Sequence, residues 1–599
     1  MPDSLLRPLD ADTVPAAFQR TAALYPDKPA LQNLDASISL SWSELAVEVR
    51  RAAAGLAALG LAHGDTIALI LPNTIECHVL DFAAGHLGAV PFAIFNSSPA
   101  EQIAHQLANA DARIVVTQRS FLPKVRDAIA ALDGQVEHLI VVDGDPGEDA
   151  IGLETVWASG GDDFDFEKVW RAVTADDLAT LIYTSGTTGP PKGAQWSHRT
   201  VMSEQRALDA VLPMPTDGII SFLPMAHAGG RITAQYMALG YGATITTCPD
   251  IKDVVGALGT AHPDAFFSVP RLWEKLQVAI EAMIAGQPDE EREALERVVE
   301  VGHRRVLAVE VGSGVPQDEA DRLVAEHEQL LPLITPVLAR LGLDNVKAAF
   351  VGGAPSSPEL SQFFRAVGVP MLEAYGLTEG SLNVFNRVED YKTGTAGKPL
   401  PGVEVRLADD GELLCRSELN FVGYRKQEAA TAEAMDGEGW LHTGDVARID
   451  DHGFIEIVDR KKEIIINSSG KNMSPANIES AVRGESSLIG QVVAIGDGRK
   501  YVTALITLDP EAAPVYARRL GLGDGSPKDF AQSPVLQSEV EAIVDRANQR
   551  LHGNEQIKKF TVLGTAWLPD GDELTPTAKL KRRIINVKYA DVIDGMYSE

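Results

Sequence analysis

Short apolar runs recur along this chain, each separated from the next by a stretch of helical spacing, and this alternation restricts the fold more than any other feature. Thr66–Leu71, Ala89–Phe95, Arg113–Thr117 and Leu139–Val142 are such runs, and Ser43–Leu59 carries helical periodicity ahead of them. The pattern resumes at Gly218–Leu223, Ala243–Thr247, Ala265–Val269 and Val346–Val351. A parallel neighbour is reached only through a crossover, so strands alternating with helices predict an α/β fold with mainly parallel sheets. Residues 285–340 break the rhythm. They are rich in Glu, Arg and Ala and predict a helical insertion between two strands, with a Gly-containing break at 312–316. Residues 393–458 are richer in Gly and Asp, carry strand-like runs at Glu404–Leu407 and Phe454–Val458, and predict a smaller β-rich subdomain. A charged run, Asp459–Glu463, then precedes a compact α/β tail that contains a polar loop at Gly521–Pro534.

One loop carries chemistry on its face. Residues 183–194 read YTSGTTGPPKGA, after an apolar stretch Leu178–Ile182 that predicts a strand. Glycines at 186 and 189 let backbone N–H groups turn toward an anion, and the hydroxyls of Thr184, Ser185, Thr187 and Thr188 add donors. Lys192 adds a mobile positive charge, so the loop suits a polyphosphate. It is not a Walker A loop, which needs Gly-Lys-Ser/Thr at the start of a helix. Two prolines precede Lys192 and Gly193 follows it, which disfavours a helix there. A flexible Ser/Thr/Gly linker is the plain alternative, but a linker has no need of a strand before it and a Pro-Pro-Lys-Gly segment after it.

Charge sharpens the reading. With 53 basic and 84 acidic residues the formal net charge is −31, which makes nucleic acid and anionic lipid surfaces poor candidates as partners. Any site for a polyanion must concentrate scarce positive charge, so Lys192, the Arg460–Lys462 run, Lys471 and the 579–583 run stand out; the competing reading of each run is a solvated face. The 599-residue chain has room for about three to five folding units. No apolar stretch of membrane-spanning length occurs, and the N-terminus lacks the basic start and apolar run of a signal peptide. Peripheral membrane contact is left open. Cys77, Cys248 and Cys415 show no metal spacing and predict buried thiols in a reducing, cytoplasmic compartment.

The loop resembles the phosphate-binding signature of the adenylate-forming superfamily, which includes acyl-CoA synthetases, luciferases and the adenylation domains of peptide synthetases. Further segments follow in that family's order: FLPMAHAGG at 222–230, VGGAPSSPEL at 351–360, EAYGLTEGS at 373–381, GWLHTGD at 439–445, VDRKKEIIINSSGKNMSPANIE at 458–479 and LTPTAKLKRR at 574–583. The resemblance spans about residues 15–590. It implies an N-terminal adenylation domain at 1–458, a hinge at 459–462 and a small mobile C-terminal domain at 463–599. It also implies ATP, Mg²⁺ and coenzyme A as cofactor and co-substrates.

The resemblance assigns roles residue by residue. Thr184, Ser185, Gly186, Thr187, Thr188, Gly189 and Lys192 would hold the phosphates, with Thr378 at the α-phosphate. Glu379 and Thr184 would contact the metal; Mg²⁺ takes only one or two oxygen ligands from protein. Gly352, Gly353 and Ala354 would flank adenine, which approaches a backbone closely only where side chains are absent; a tight strand-to-helix turn reads the same way. Tyr375, beside Gly376, would offer adenine a flat face, or fill a core. Asp445 would accept both ribose hydroxyls, or cap a loop, with Arg460 assisting. His227 would lie near the substrate carboxylate, or be a satisfied structural histidine. Lys579 would bridge the substrate carboxylate and the α-phosphate, where two anions must be brought together. Lys462 sits at the family's hinge position, and Ser469, Gly470 and Lys471 would face the thiol-bearing partner.

The LPMAH form and the helical insertion look most like the long-chain fatty acyl-CoA synthetase branch. The implied reaction activates a fatty acid to acyl-AMP and transfers it to coenzyme A. Small residues after the histidine, Ala228, Gly229 and Gly230, suggest room for an alkyl tunnel. One departure is Ser417-Glu418-Leu419-Asn420 after Arg416, where many relatives place Gly-Pro; it leaves the conformation of that loop open. The alternatives are a ligase that loads a carrier protein from acyl-AMP, and a nucleotide- or acyl-binding module without catalysis. Intact Lys192, Glu379, Asp445, Arg460 and Lys579 argue against the second.

Overall fold

A computed structural model describes residues 6–161, 163–184, 190–568, 571–575 and 578–598. Three sheets form the scaffold of the larger, N-terminal part. The first is wholly parallel, in the order Val90–Ala93, Thr66–Ile70, Ile114–Thr117, His138–Val141, Ile151–Gly152. Every residue of Thr66–Ile70 is buried, as expected of a parallel strand covered on both faces by crossover helices. A second sheet runs Gly218–Ser221, Thr244–Thr247, Pro29–Asn33, Ser39–Ser41, with only the last strand antiparallel. The third begins with parallel Ala265–Ser268, Ala348–Val351 and Met371–Leu377, then turns antiparallel through Ser381–Phe385 and Lys398–Pro399.

The expected α/β class is therefore observed, with strand ends within a few residues of those read from the sequence. The helix that follows Ser41 spans Trp42–Ala58, and a reciprocal Ser41–Glu44 capping box fixes its start. Between Ala265–Ser268 and Ala348–Val351 the chain runs through three helices, Pro270–Ala285, Asp289–Val309 and Gln317–Arg340. The last two pack as a helical hairpin around the break at 310–316.

Residues 404–460 form a four-stranded antiparallel sheet of Glu404–Leu407, Glu412–Arg416, Leu441–Ile449 and Ile455–Arg460. It has its own small core of Leu413, Cys415, Ala447 and Ile455, on which Tyr375 packs. Beyond residue 464 the chain builds a separate core from Ile478, Val482, Val492, Ile506, Val540 and Ile543, under the sheet Ile489–Ile495, Val502–Leu508, Ile557–Leu563. The 417–420 loop, left open by the sequence, is fastened to the helix His198–Asp209: Ser203 donates to Glu418 at 2.9 Å and Thr200 to the Asn420 carbonyl at 3.3 Å. Among the described residues no helix is long and apolar enough to cross a membrane.

Candidate active site

The strand Leu178–Thr184 leads into the Ser/Thr/Gly loop, and Lys192–Ser197 returns antiparallel with Thr184 opposite Lys192. Lys192 thus opens a strand rather than a helix, which separates this loop from a Walker A in geometry as well as in sequence. Ser185, Gly186, Thr187, Thr188 and Gly189 lie outside the described residues. Lys192 is half-buried, and its Nζ stands 4.9 Å from the centroid of the Tyr424 ring. Tyr424 lies on the two-residue strand Gly423–Tyr424 that extends the same hairpin. Its hydroxyl donates to Glu379 Oε1 at 2.5 Å. Desolvation, then the Glu379 charge, pushes the phenol far above its usual range, so it stays a donor.

Glu379 and Thr378 sit in the turn between Met371–Leu377 and Ser381–Phe385. The carbonyl of Thr378 accepts from Trp196 Nε1 at 2.8 Å, and that of Glu379 from the Phe421 amide at 2.8 Å. A carboxylate with a hydroxyl neighbour is a hard oxygen donor set, which fits Mg²⁺. Among the described residues no group of three or more His, Cys, Asp or Glu converges, so a cation here would rely on Glu379, substrate phosphates and water.

Gly352 and Gly353 end the strand Ala348–Val351. A Cβ on Gly352 would lie 2.8 Å from the Ala374 carbonyl oxygen, and Gly353 has a φ of +79°, so both positions need glycine. Gly353 and Ala354 are exposed. Gly376 and Tyr375 lie on the neighbouring strand, and the Tyr375 hydroxyl donates to Asp445 Oδ2 at 2.6 Å. Asp445 is the cross-strand partner of Arg460, with Arg460 Nε 3.5 Å from Asp445 Oδ1. Asp445 is 5% exposed. Burial raises its carboxyl pKa, while Arg460, Tyr375 and Lys579 oppose that rise.

Lys579 closes this group from the C-terminal part. It is exposed, yet enough protein surrounds its ammonium that desolvation lowers its pKa; Arg460 pushes the same way, and Asp445, Glu379 and Glu463 oppose. The segment that carries it is pinned three residues on. Arg582 donates bidentately to Glu479 at 2.6 and 2.8 Å and to Glu463 at 3.1 Å, and its side chain is only 18% exposed. Part of the KLKRR run is therefore an anchor rather than a solvated face.

His227 precedes a short helical turn, Ala228–Gly230, and a turn of π-helix, Arg231–Tyr236. Its Nδ1 accepts from the Gly229 amide at 3.1 Å, which assigns the proton of the neutral ring to Nε2. Burial, then the Lys579 charge, lowers its pKa to about 4, so the ring is neutral near pH 7. The glycines after it do not open space. A Cβ on Gly229 would come within 2.9 Å of Phe267, and one on Gly230 would collide with the carbonyl oxygens of Leu223 and Pro224. They permit close packing, and a small cavity beside them is lined by Ile219, Ile220, Thr233, Met237, Phe267 and Phe350.

The structure thus gathers Lys192, Glu379, Thr378, Tyr375, Asp445, Arg460, Lys579 and His227. It does not bring the 468–471 turn among them. Ser469, Gly470 and Lys471 are exposed, Gly470 has a φ of +73°, and the loop's hydrogen bonds run to Asn467 and Arg499. Lys462 lies in an exposed turn, and its side chain has no ion-pair partner among the described residues. Sequence reasoning missed Tyr424, Trp196 and the anchoring role of Arg582, which it read only as part of the 579–583 run. The first two are aromatic residues beside the phosphate-loop strands, and only the strand pairing shows that they meet Lys192 and the Thr378 turn.

Two family models match most of the chain. The AMP-binding enzyme model matches residues 18–425, and that for the AMP-binding enzyme C-terminal domain matches residues 462–599. The chain belongs to the AMP-binding enzymes. Among curated AMP-binding relatives, the putative fatty-acid–CoA ligase FadD11 of Mycobacterium tuberculosis is 43% identical over 74% of this chain and 77% of its own length. The long-chain-fatty-acid–CoA ligase FadD15 of Mycobacterium bovis is 36% identical over 93% of this chain and 92% of its own. Among solved structures, the adenylation domain of a carboxylate reductase from Mycobacterium chelonae superposes with a TM-score of 0.76 at 21% identity, covering 100% of this chain and 95% of that one. That likeness speaks for the fold.

Proposed function

We propose that this AMP-binding enzyme is a fatty acid–CoA ligase, with a long-chain acid as its substrate. One observation carries the reading: Lys579, from the C-terminal part, shares a cleft with Asp445, Arg460, Glu379 and His227 of the N-terminal part, in a chain whose relatives bear fatty-acid–CoA ligase names. In the first half-reaction a carboxylate oxygen attacks the α-phosphorus of ATP and the bond to pyrophosphate breaks. Lys579 holds the two anions together, Lys192 neutralises phosphate charge, and His227, neutral and protonated at Nε2, donates toward the acid. Asp445 accepts from the ribose hydroxyls while Tyr375 and Arg460 hold it in place. Glu379 and Thr184 would hold Mg²⁺, which supplies charge neutralisation on the phosphates when bound. The cavity lined by Thr233, Met237 and Phe267 is the proposed entry of the alkyl chain. In the second half-reaction the thiol sulfur of coenzyme A attacks the acyl carbon and AMP leaves. The 468–471 turn serves that step after the C-terminal part turns about Lys462. Three buried free cysteines fit a reducing cytoplasm.

The test is product analysis with purified protein, ATP, Mg²⁺, coenzyme A and acids of graded length. The expected products are acyl-CoA, AMP and pyrophosphate in equal amounts, with the highest turnover for long chains. Accumulation of acyl-AMP at saturating coenzyme A, together with loading of an acyl carrier protein, would overturn the assignment of the acceptor.

A further inference from the structure

The turn that carries Thr378 and Glu379 is strained at its exit. Three residues, Thr378 to Gly380, join Met371–Leu377 to Ser381–Phe385, with Leu377 paired to Ser381. A left-handed residue at the end of a turn is usually glycine. Here that residue is Ser381, with a φ of +56°, and it is 2% exposed. A non-glycine residue persists in that region only when its surroundings hold it there.

What holds it is a carboxylate that the proposed mechanism does not use. Glu204, on the helix His198–Asp209, is fully buried. Its Oε1 accepts from Ser381 Oγ at 2.5 Å and from the Leu382 amide at 3.2 Å, and its Oε2 has no hydrogen-bond partner among the described residues. No basic side chain pairs with it among the described residues. A buried acid without a cation costs stability, and an apolar residue would pack there without that cost. A serine at a glycine position, bonded by an acid at an apolar position, places both departures on one contact.

We infer that Glu204 is a positioning residue for the first half-reaction: through Ser381 and Leu382 it fixes the 378–380 turn so that Thr378 and Glu379 face the nucleotide phosphates and their metal. This rests on the reading of Thr378 and Glu379 given above. Trp196 and Phe421 hold the turn by its carbonyls, Tyr424 holds the Glu379 side chain, and Glu204 adds a side-chain restraint at its exit, beside the backbone pairing of Leu377 with Ser381.

The experiment uses the full chain with Glu204→Ala, Ser381→Ala, the double variant, Glu204→Gln and Glu379→Gln. Three quantities are measured: the Mg²⁺ concentration that gives half-maximal ATP binding by calorimetry, the kcat and KM of ATP–pyrophosphate exchange, and the melting temperature. Glu204→Ala and Ser381→Ala should each raise the Mg²⁺ midpoint about tenfold, the loss expected for one buried hydrogen bond. The double variant should be no worse than either, because both remove the same contact. Glu204→Gln keeps an acceptor oxygen and should stay within about twofold of the parent. A lowered melting temperature with unchanged Mg²⁺ midpoint and KM would make Glu204 a core residue only, and so would effects that add in the double variant. Should Glu204→Ala not fold, Ser381→Ala, which removes one hydroxyl, decides by the same criteria. Glu379→Gln separates the two ideas. A midpoint shift there without one in Glu204→Ala or Ser381→Ala defeats the inference alone, and no shift in any of them defeats the reading of Glu379 and the inference with it.

Discussion

At the scale of single residues, Lys579 shows how the site divides its work. Lys192 and Arg460 belong to the N-terminal part, so a cation for the adenylation step is already present before Lys579 arrives. What Lys579 adds is a charge placed beside both Asp445 and His227 from a different folding unit. Its removal should therefore injure one step. Lys579→Ala should slow acyl-AMP formation by two to three orders of magnitude, since one positioned donor at a developing charge contributes about 3 kcal/mol. Thioester formation from synthetic acyl-AMP should survive. Separate assays of the two half-reactions on the folded variant check this, and equal loss in both would remove Lys579 from its assigned role. His86 supplies a residue-scale prediction of another kind. Buried between Phe18 and Phe166, it donates from Nδ1 to the Phe82 carbonyl at 2.7 Å and meets Gln19 at Nε2. Burial lowers its pKa from 6.5 to about 4. Between those values the unfolded chain binds the extra proton, so this contribution is complete above pH 6.5 and is lost as pH falls toward 4. The parent should lose on the order of 1 kcal/mol per pH unit over that range relative to His86→Gln. Denaturant titrations at pH 4.5 and pH 7 should show the gap between the two closing as pH falls.

At the scale of elements, the apolar runs were legible because each is a short buried strand of a parallel sheet, where both faces must be apolar. Thr66–Ile70 and Ile114–Thr117 are the clear cases, wholly buried along their lengths. Capping chemistry was readable for the same local reason, as at Ser41 and Glu44. Pairing between distant strands was not. Asp445 and Arg460 stand opposite each other through the register of Leu441–Ile449 with Ile455–Arg460, which includes an irregularity between Val446 and Ala447. An extra residue of this kind moves a side chain to the other face, and nothing in the local sequence announces it. Tyr424 escaped notice because its strand is two residues long and takes its place only by pairing with Gln195 and Ala194. The glycines after His227 were read by type rather than by contact. Small side chains mark either open space or close backbone approach, and here the Pro224 and Leu223 carbonyls decide for approach.

At the scale of the whole molecule, the question is how firmly the C-terminal part is held in this orientation. Arg271 pairs with Asp509 and donates to the Gly490 carbonyl at 2.9 Å, Lys275 pairs with Glu511 at 2.6 Å, and Arg550 with Glu359 at 3.2 Å. Most of these groups are exposed, and pairs of that kind contribute about 0–1 kcal/mol each. Asp459 is the stronger tie. It is buried at the end of the last strand of the β-rich sheet and accepts from Ser474 Oγ at 2.5 Å and the Ala476 amide at 3.1 Å, across the 461–463 turn. A rotation of the C-terminal part about this turn would exchange these contacts. Lys462 is the pivot we propose. The Lys461 amide donates to the Gly444 carbonyl at 2.8 Å, and those of Glu463 and Ile464 to the Arg460 carbonyl at 2.9 and 3.1 Å, while that of Lys462 makes no such bond among the described residues. Proline at 462 therefore removes no hydrogen bond found among the described residues. It fixes φ near −65° and narrows the choices of Lys461, so the turn loses the freedom that rotation requires. Lys462→Pro should keep ATP–pyrophosphate exchange near the parent level and lower thioester synthesis by at least about tenfold, a barrier increase of roughly 1.4 kcal/mol or more. Lys462→Ala, which removes the charge and leaves the backbone free, should be much milder. General destabilisation by proline would instead lower both half-reactions together with the melting temperature. Parallel loss of both activities at an unchanged melting temperature would show that the backbone at 462 serves both steps alike, and the pivot would have to lie elsewhere in the turn.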